Sequence, residues 1–148
     1  MEPKLYSYQS NSDHRGSVSF INNLNLEKIV RTYRVINKQI KTVRAWHGHK
    51  IEEKWISVEE GEFLVCAVKI DNFNNPNKDL EIYKYKITSK DGILYIPNNF
   101  VNGAMNLTES NSIRYYSSLT LDESVKDDFR FDSKYWDPWS KYNPNLYE

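Results

Sequence analysis

Apolar and polar residues alternate along much of this chain. Over residues 80–88, Tyr83, Tyr85 and Ile87 fall on one face, and Lys84 and Lys86 on the other. A period of two marks a strand with one face on a core and one in solvent. Residues 54–70 predict a hairpin, in which strands 54–58 and 63–68 flank Glu59-Glu60-Gly61-Glu62. Gly61 supplies the positive φ that such a turn favours. Further strands are predicted at 17–21, 30–36, 42–49, 93–96 and 112–119. Stretches rich in Asn, Asp, Gly and Pro separate them, at 72–79, 89–92 and 97–99. Helix is expected only as a turn near Leu24–Lys28 and as a short segment within 121–129, capped by Asp122. There is no internal repeat and no low-complexity stretch. Many short strands with frequent turn signals predict an all-β sandwich or barrel. The aromatic stretch Tyr135 to Glu148, with two prolines, predicts an irregular tail packed on the barrel or on a partner subunit.

Composition narrows the picture. A chain of 148 residues suits a single domain and can bury a core without staples. Twenty basic and twenty acidic residues cancel. No global field therefore favours nucleic acid or an anionic membrane, although a local cationic pocket is compatible. The lone Cys66 excludes an internal disulfide, and its apolar run makes it a core thiol. The polar amino terminus and the lack of a long apolar segment lead us to expect a cytoplasmic protein. Eleven Tyr, six Phe and four Trp suit half-buried strands rather than a disordered chain.

Candidate chemistry gathers in Arg44-Ala45-Trp46-His47-Gly48-His49-Lys50. On a strand His47 and His49 face one side, while Trp46 faces the other, toward a core. Arg44 and Lys50 have the opposite parity to His47. A bulge or strand end is required to bring all four together. Paired histidines offer a base, an acid or a metal ligand at neutral pH. His14 reads as a solvated loop residue, and Asp127-Asp128 as a solvated helix end.

A set of short blocks carries a family resemblance. Asp13-His14-Arg15-Gly16 is similar to an Asp-x-Arg-Gly motif, and Val43-Arg44-Ala45-Trp46-His47 to Leu-Arg-Gly-Leu-His. Leu94 to Gly103, with Ile96-Pro97, is similar to Leu-Trp-Ile-Pro-x-Gly-Phe-Ala-His-Gly. Ile113-Arg114-Tyr115 and Phe129-Arg130-Phe131-Asp132 complete the set. In this order, over roughly residues 13–137, they resemble the sugar-nucleotide cupins typified by dTDP-4-dehydrorhamnose 3,5-epimerase. His47-Gly48-His49-Lys50 is also similar to the His-Ala-His-Lys motif of the dTDP-sugar 3,4-ketoisomerases, and Arg31-Thr32-Tyr33 to their Arg-x-Tyr. Lys54 and the Ile96-Pro97 block favour the epimerase branch.

The resemblance implies an all-β cupin jelly roll in one domain, 1–148, with its barrel over about 15–120 and a tail over 121–148. It implies cofactor-independent epimerisation of a nucleotide-linked 4-keto-6-deoxy sugar, in the supply of surface-polysaccharide sugars. His47 would be the base, Lys54 would stabilise the enolate oxygen and Tyr115 would return a proton from the opposite face. Arg15 and Arg44 would hold the diphosphate, with Lys50, Tyr33 and Asn102 also binding substrate. His49 joins the catalytic set. The partner of the base in the family is an aspartate near the carboxyl end. That segment is not expected in this chain, which leaves His49 or Glu53 as candidates. Asn102 stands where the family has histidine, Val18 where an aromatic stacks on the base, and Phe20 where a glutamate lies. Members are commonly homodimers with a crossing amino-terminal segment. The alternatives are 3,4-ketoisomerisation, a metal-binding cupin with ligands His47, His49 and Glu53, and a non-catalytic sugar-nucleotide module. No metal is expected in the main reading.

Overall fold

The computed structural model describes residues 1–148. Twelve strands and one short helix follow in chain order: β1 (Lys4–Ser7), β2 (Gln9–Asp13), β3 (Gly16–Phe20), β4 (Arg31–Val35), β5 (Val43–His49), β6 (Lys54–Glu60), β7 (Glu62–Lys69), β8 (Ile82–Thr88), β9 (Gly92–Ile96), β10 (Phe100–Asn106), β11 (Ser112–Ser117), α1 (Leu121–Val125) and β12 (Phe129–Arg130). Two five-stranded antiparallel sheets face each other, ordered β1-β9-β6-β11-β4 and β12-β5-β10-β7-β8. This is an all-β sandwich, as the alternation predicts, and it agrees with the cupin type that the resemblance implies.

The core lies in two layers. Between the sheets pack Ile56, Val58, Phe63, Val65, Ala67, Ile87, Leu94, Ile96, Phe100, Ala104, Ile113 and Tyr115. Outside the second sheet, Trp46, Leu64, Cys66, Val68, Val101 and Met105 pack against Trp136 and Trp139 of the tail. Strand β7 therefore divides its continuous apolar run, with Phe63, Val65 and Ala67 inward and Leu64, Cys66 and Val68 under the tail. A strand covered on both faces reads as unbroken hydrophobicity rather than alternation. The tail is pinned by the Trp46 indole N–H, which donates to the Trp136 carbonyl at 3.1 Å. The expected docking of the tail on the barrel is thus observed.

The hairpin at Gly61 forms with φ +79°, and Tyr83 and Tyr85 turn toward the core beside Ile87. Three expectations change. Thr120, not Asp122, caps α1: its hydroxyl accepts from the Glu123 N–H, and the Glu123 carboxylate accepts from the Thr120 N–H. This is a capping box. The stretch near Leu24–Lys28 forms turns and no helix. Strand β10 was hidden by Asn102, Gly103 and Asn106, yet all seven of its residues are buried between β5 and β7. Asn106 tolerates this because its side chain accepts from Asn37 and from the Thr42 N–H, each at 3.0 Å, and donates to the Gln39 and Thr108 carbonyls. Strands β2 and β3 form a separate two-stranded sheet whose residues are exposed apart from a half-buried Phe20.

Candidate active site

A cavity of about 380 Å³ is lined by residues of both sheets. The second sheet lends Arg44, His47 and His49 of β5, Asn102 of β10 and Arg130 of β12. The first sheet lends Arg31, Tyr33 and Val35 of β4, Lys54 of β6 and Tyr115 of β11. Leu121, Ser124 and Val125 of α1 form the lip, and Asp128 follows them.

The parity problem of β5 is solved by a bulge. His47 pairs with Asn102 and Arg44 with Ala104, so Ala45 and Trp46 together oppose Gly103. Two residues against one shift the alternation by one position. Arg44 and His47 then share the cavity while Trp46 stays in the outer core, 1% exposed. Gly103 is required there, since a Cβ would lie 2.4 Å from the Ala45 Cβ.

Beyond the bulge, His49 stays on the cavity side and Lys50 does not. Lys50 is exposed on the other side, its ammonium 4.9 Å from the centre of the Phe129 ring. The structure therefore removes Lys50 from the cavity of its own chain, because no second bulge follows the first. Arg15 is also outside it. It sits at the tip of the β2–β3 hairpin, paired with Asp13 at 2.7 Å. Glu53, in the connection before β6, lies outside the cavity, where it accepts from the Tyr95 hydroxyl and pairs with Lys28 at 3.3 Å. The ligand set His47, His49 and Glu53 is thus not brought together, and Glu53 cannot be the partner of His47.

The remaining candidates converge. Lys54, 7% exposed, donates to the Tyr33 hydroxyl at 2.7 Å. Tyr33 and Tyr115 stack with ring centres 5.1 Å apart. The Lys54 ammonium lies 5.5 Å from the Tyr115 ring centre. Burial pushes both phenols well above the ordinary tyrosine range, so each keeps its proton at neutral pH. Burial, with the Arg130 and Lys54 charges, pulls His47 down to about 4. Its imidazole is neutral at pH 7 and free to accept a proton. Asn102 donates to the His47 carbonyl at 3.5 Å, so it supports the strand that carries the base.

His49 is held in one orientation. Its Nδ1 lies 2.8 Å from the Asp127 carbonyl, which can only accept, so Nδ1 carries the proton and Nε2 keeps a lone pair. Burial, followed by the Lys54 charge, lowers its pKa. Asp127 itself is buried, contrary to the solvated helix end expected. Its carboxylate accepts from the backbone N–H groups of Lys50, Ile51 and Glu52 at 2.8–2.9 Å.

Four groups escaped the sequence reading. Arg31 is signalled by its even spacing from Tyr33, and Arg130 lies in a recognised block. Asp128 borders the cavity and its charge favours protonated His47. Glu52 has no sequence signal, yet its side chain is fully buried beside Lys54, Arg31 and His49. Four cations and one carboxylate line the cavity, a balance suited to a polyanionic ligand.

Comparison with known structures finds the same fold in several solved proteins. A sugar 3,4-ketoisomerase from Thermoanaerobacterium thermosaccharolyticum in complex with TDP matches with a TM-score of 0.68 and 19% identity, over 96% of this chain and 97% of that one. A mutant of that ketoisomerase in complex with TDP-4-keto-6-deoxyglucose matches with a TM-score of 0.65 and 20% identity, over 99% and 98%. A dTDP-4-dehydrorhamnose 3,5-epimerase from Bacillus anthracis, with TDP and PPi bound, matches with a TM-score of 0.71 and 19% identity, over 93% and 84%. No family model and no curated protein sequence matches the chain. These likenesses establish the fold that it shares with both kinds of isomerase.

Proposed function

We propose that this chain is a cofactor-independent isomerase of a nucleotide-linked 4-keto-6-deoxy sugar, and that it epimerises a carbon beside the ketone. The observation that carries this reading is the pairing across the cavity of His47 on one sheet with Tyr115 and Lys54 on the other. A 4-keto group acidifies its neighbouring C–H bonds. His47, neutral at pH 7, removes the proton, and Lys54 beside the ketone oxygen stabilises the enolate charge. Tyr115, still protonated, returns a proton from the opposing wall, and the centre inverts. Arg44, with Arg31 and Arg130, offers guanidinium forks to the diphosphate. Tyr33 and Asn102 hold Lys54 and the His47 strand in place.

A homodimer completes this reading. An isolated two-stranded hairpin is marginal in water, yet β2–β3 projects with Val18 66% exposed. In a dimer with crossing amino-terminal segments, that hairpin would lie on a second copy and bring Arg15 to the partner's cavity. The neutral charge balance gives no reason to expect nucleic acid as a partner, and no helix is long and apolar enough to cross a membrane. A cytoplasmic role in making sugars for surface polysaccharide fits a nucleotide-sugar substrate.

A second reading, 3,4-ketoisomerisation, is favoured by a specific observation. His47 and His49 stand on the same wall of the cavity, and two bases on one face suit proton movement between adjacent carbons without inversion. Incubation with TDP-4-keto-6-deoxyglucose in deuterated buffer, followed by NMR, separates the two. Epimerisation places deuterium at C3 or C5 with inverted configuration. Ketoisomerisation gives a 3-keto product labelled at C4. A sugar ring that takes up no deuterium contradicts both and leaves a binding module.

A further inference from the structure

Lys54 has a task that its surroundings oppose. It must carry a positive charge to stabilise an enolate oxygen, yet it is almost wholly buried. Burial drives such an ammonium toward its neutral form, and the neighbouring positive charge of Arg31 pushes the same way. Tyr33 and Tyr115 flank it as neutral phenols, and His47 and His49 as neutral imidazoles. Of the carboxylates that act on it, Asp128 is shared with Arg130 at 3.1 Å. Glu52 alone is in contact, at 3.3 Å.

Glu52 is itself placed at a cost. Neither of its buried oxygens accepts a well-formed hydrogen bond, and a carboxylate removed from water is unfavourable unless opposite charge surrounds it. The opposite charge beside it is that of Lys54 and, at 3.7 Å, of Arg31, while the unprotonated His49 Nε2 lies 3.9 Å away and adds none. Its backbone N–H donates to the Asp127 carboxylate at 2.8 Å, which anchors the residue in that turn. It does not line the cavity, so it acts through its neighbours.

We propose that Glu52 is a positioning residue whose buried negative charge keeps Lys54 an ammonium ion at neutral pH, and thereby keeps the enolate-stabilising group switched on. The proposal rests on the isomerase reading for its purpose, but the Glu52–Lys54 coupling is measurable without any substrate.

The test is NMR titration of the Lys54 side chain in full-length protein carrying lysine labelled with ¹³C at Cε. Wild type, Glu52→Gln and Glu52→Asp are compared. In wild type the Lys54 midpoint lies above neutrality. Loss of the carboxylate charge in Glu52→Gln lowers it by about two units, while Glu52→Asp, which keeps the charge, stays near wild type. An unchanged midpoint in Glu52→Gln overturns the proposal. So does a wild-type Lys54 already neutral at pH 7, which needs no variant to fold. In the deuterium-exchange assay, Glu52→Gln loses about tenfold at pH 8 and recovers toward wild type near pH 6, as Lys54 regains its proton. A purely structural role would lower the rate equally at both. Absence of exchange in wild type counts against the isomerase reading alone, because the titration stands apart from it.

Discussion

In the proposed reaction, one cavity prepares His47 and Lys54 for opposite tasks. The imidazole needs its lone pair, and burial together with nearby cations empties it of its proton down to about pH 4. The ammonium needs its charge, and a buried carboxylate lies against it. The pH dependence follows with a definite sign. The active form of a base is the deprotonated one, so activity persists above the folded pKa and is lost as pH falls through it. We expect kcat/KM for solvent exchange to stay level well below pH 6.5, the ordinary histidine midpoint, and to halve near pH 4. A rate profile with its acid limb near 6.5 would mean that His47 is solvated rather than embedded among cations.

At the scale of the element, the site depends on two irregularities. One is the bulge of β5 opposite Gly103. The other is the turn after β5, where Asp127 binds three consecutive N–H groups and offers its carbonyl to His49. Asp127→Ala leaves those buried donors unsatisfied. It should cost about 3 kcal/mol in urea denaturation, since each orphaned donor is worth on the order of 1 kcal/mol or more. A loss below about 0.5 kcal/mol would show that water replaces the carboxylate without penalty. These irregularities also mark where sequence reading succeeded and where it stopped. The convergence of His47, Lys54 and Tyr115 on one cavity was legible because a periodic strand and an ordered set of motifs carry them. Parity also announced that Arg44 needed a bulge, although not where the bulge falls. Lys50 was misread because the bulge is single and the alternation resumes after it. Glu52 and Asp127 were illegible because their roles come from contacts between distant segments, and no local pattern distinguishes a buried carboxylate from a solvated one.

At the scale of the molecule, the short alternating strands and their turns lead to an all-β sandwich or barrel, and the aromatic tail to packing on the barrel or on a partner subunit. The outer layer over the second sheet is legible only in the structure. What the single chain leaves without a structural partner is the β2–β3 hairpin, with Arg15 at its tip and Val18 exposed. If that hairpin is the crossing segment of a homodimer, sedimentation equilibrium gives twice the mass of 17.6 kDa. Val18→Asp then shifts the population toward monomer and weakens binding of TDP. A monomer in the wild type, at micromolar concentration, would place Arg15 outside any active site.

The central claim is that this cavity removes a carbon-bound proton beside a ketone, and that His47 removes it. The most direct measurement is the rate at which TDP-4-keto-6-deoxyglucose takes up deuterium from solvent, in wild type and in His47→Asn. The account predicts exchange in wild type and a loss of about 10²–10⁴-fold in the variant, with the fold and TDP binding retained. Exchange at the wild-type rate in His47→Asn would contradict it.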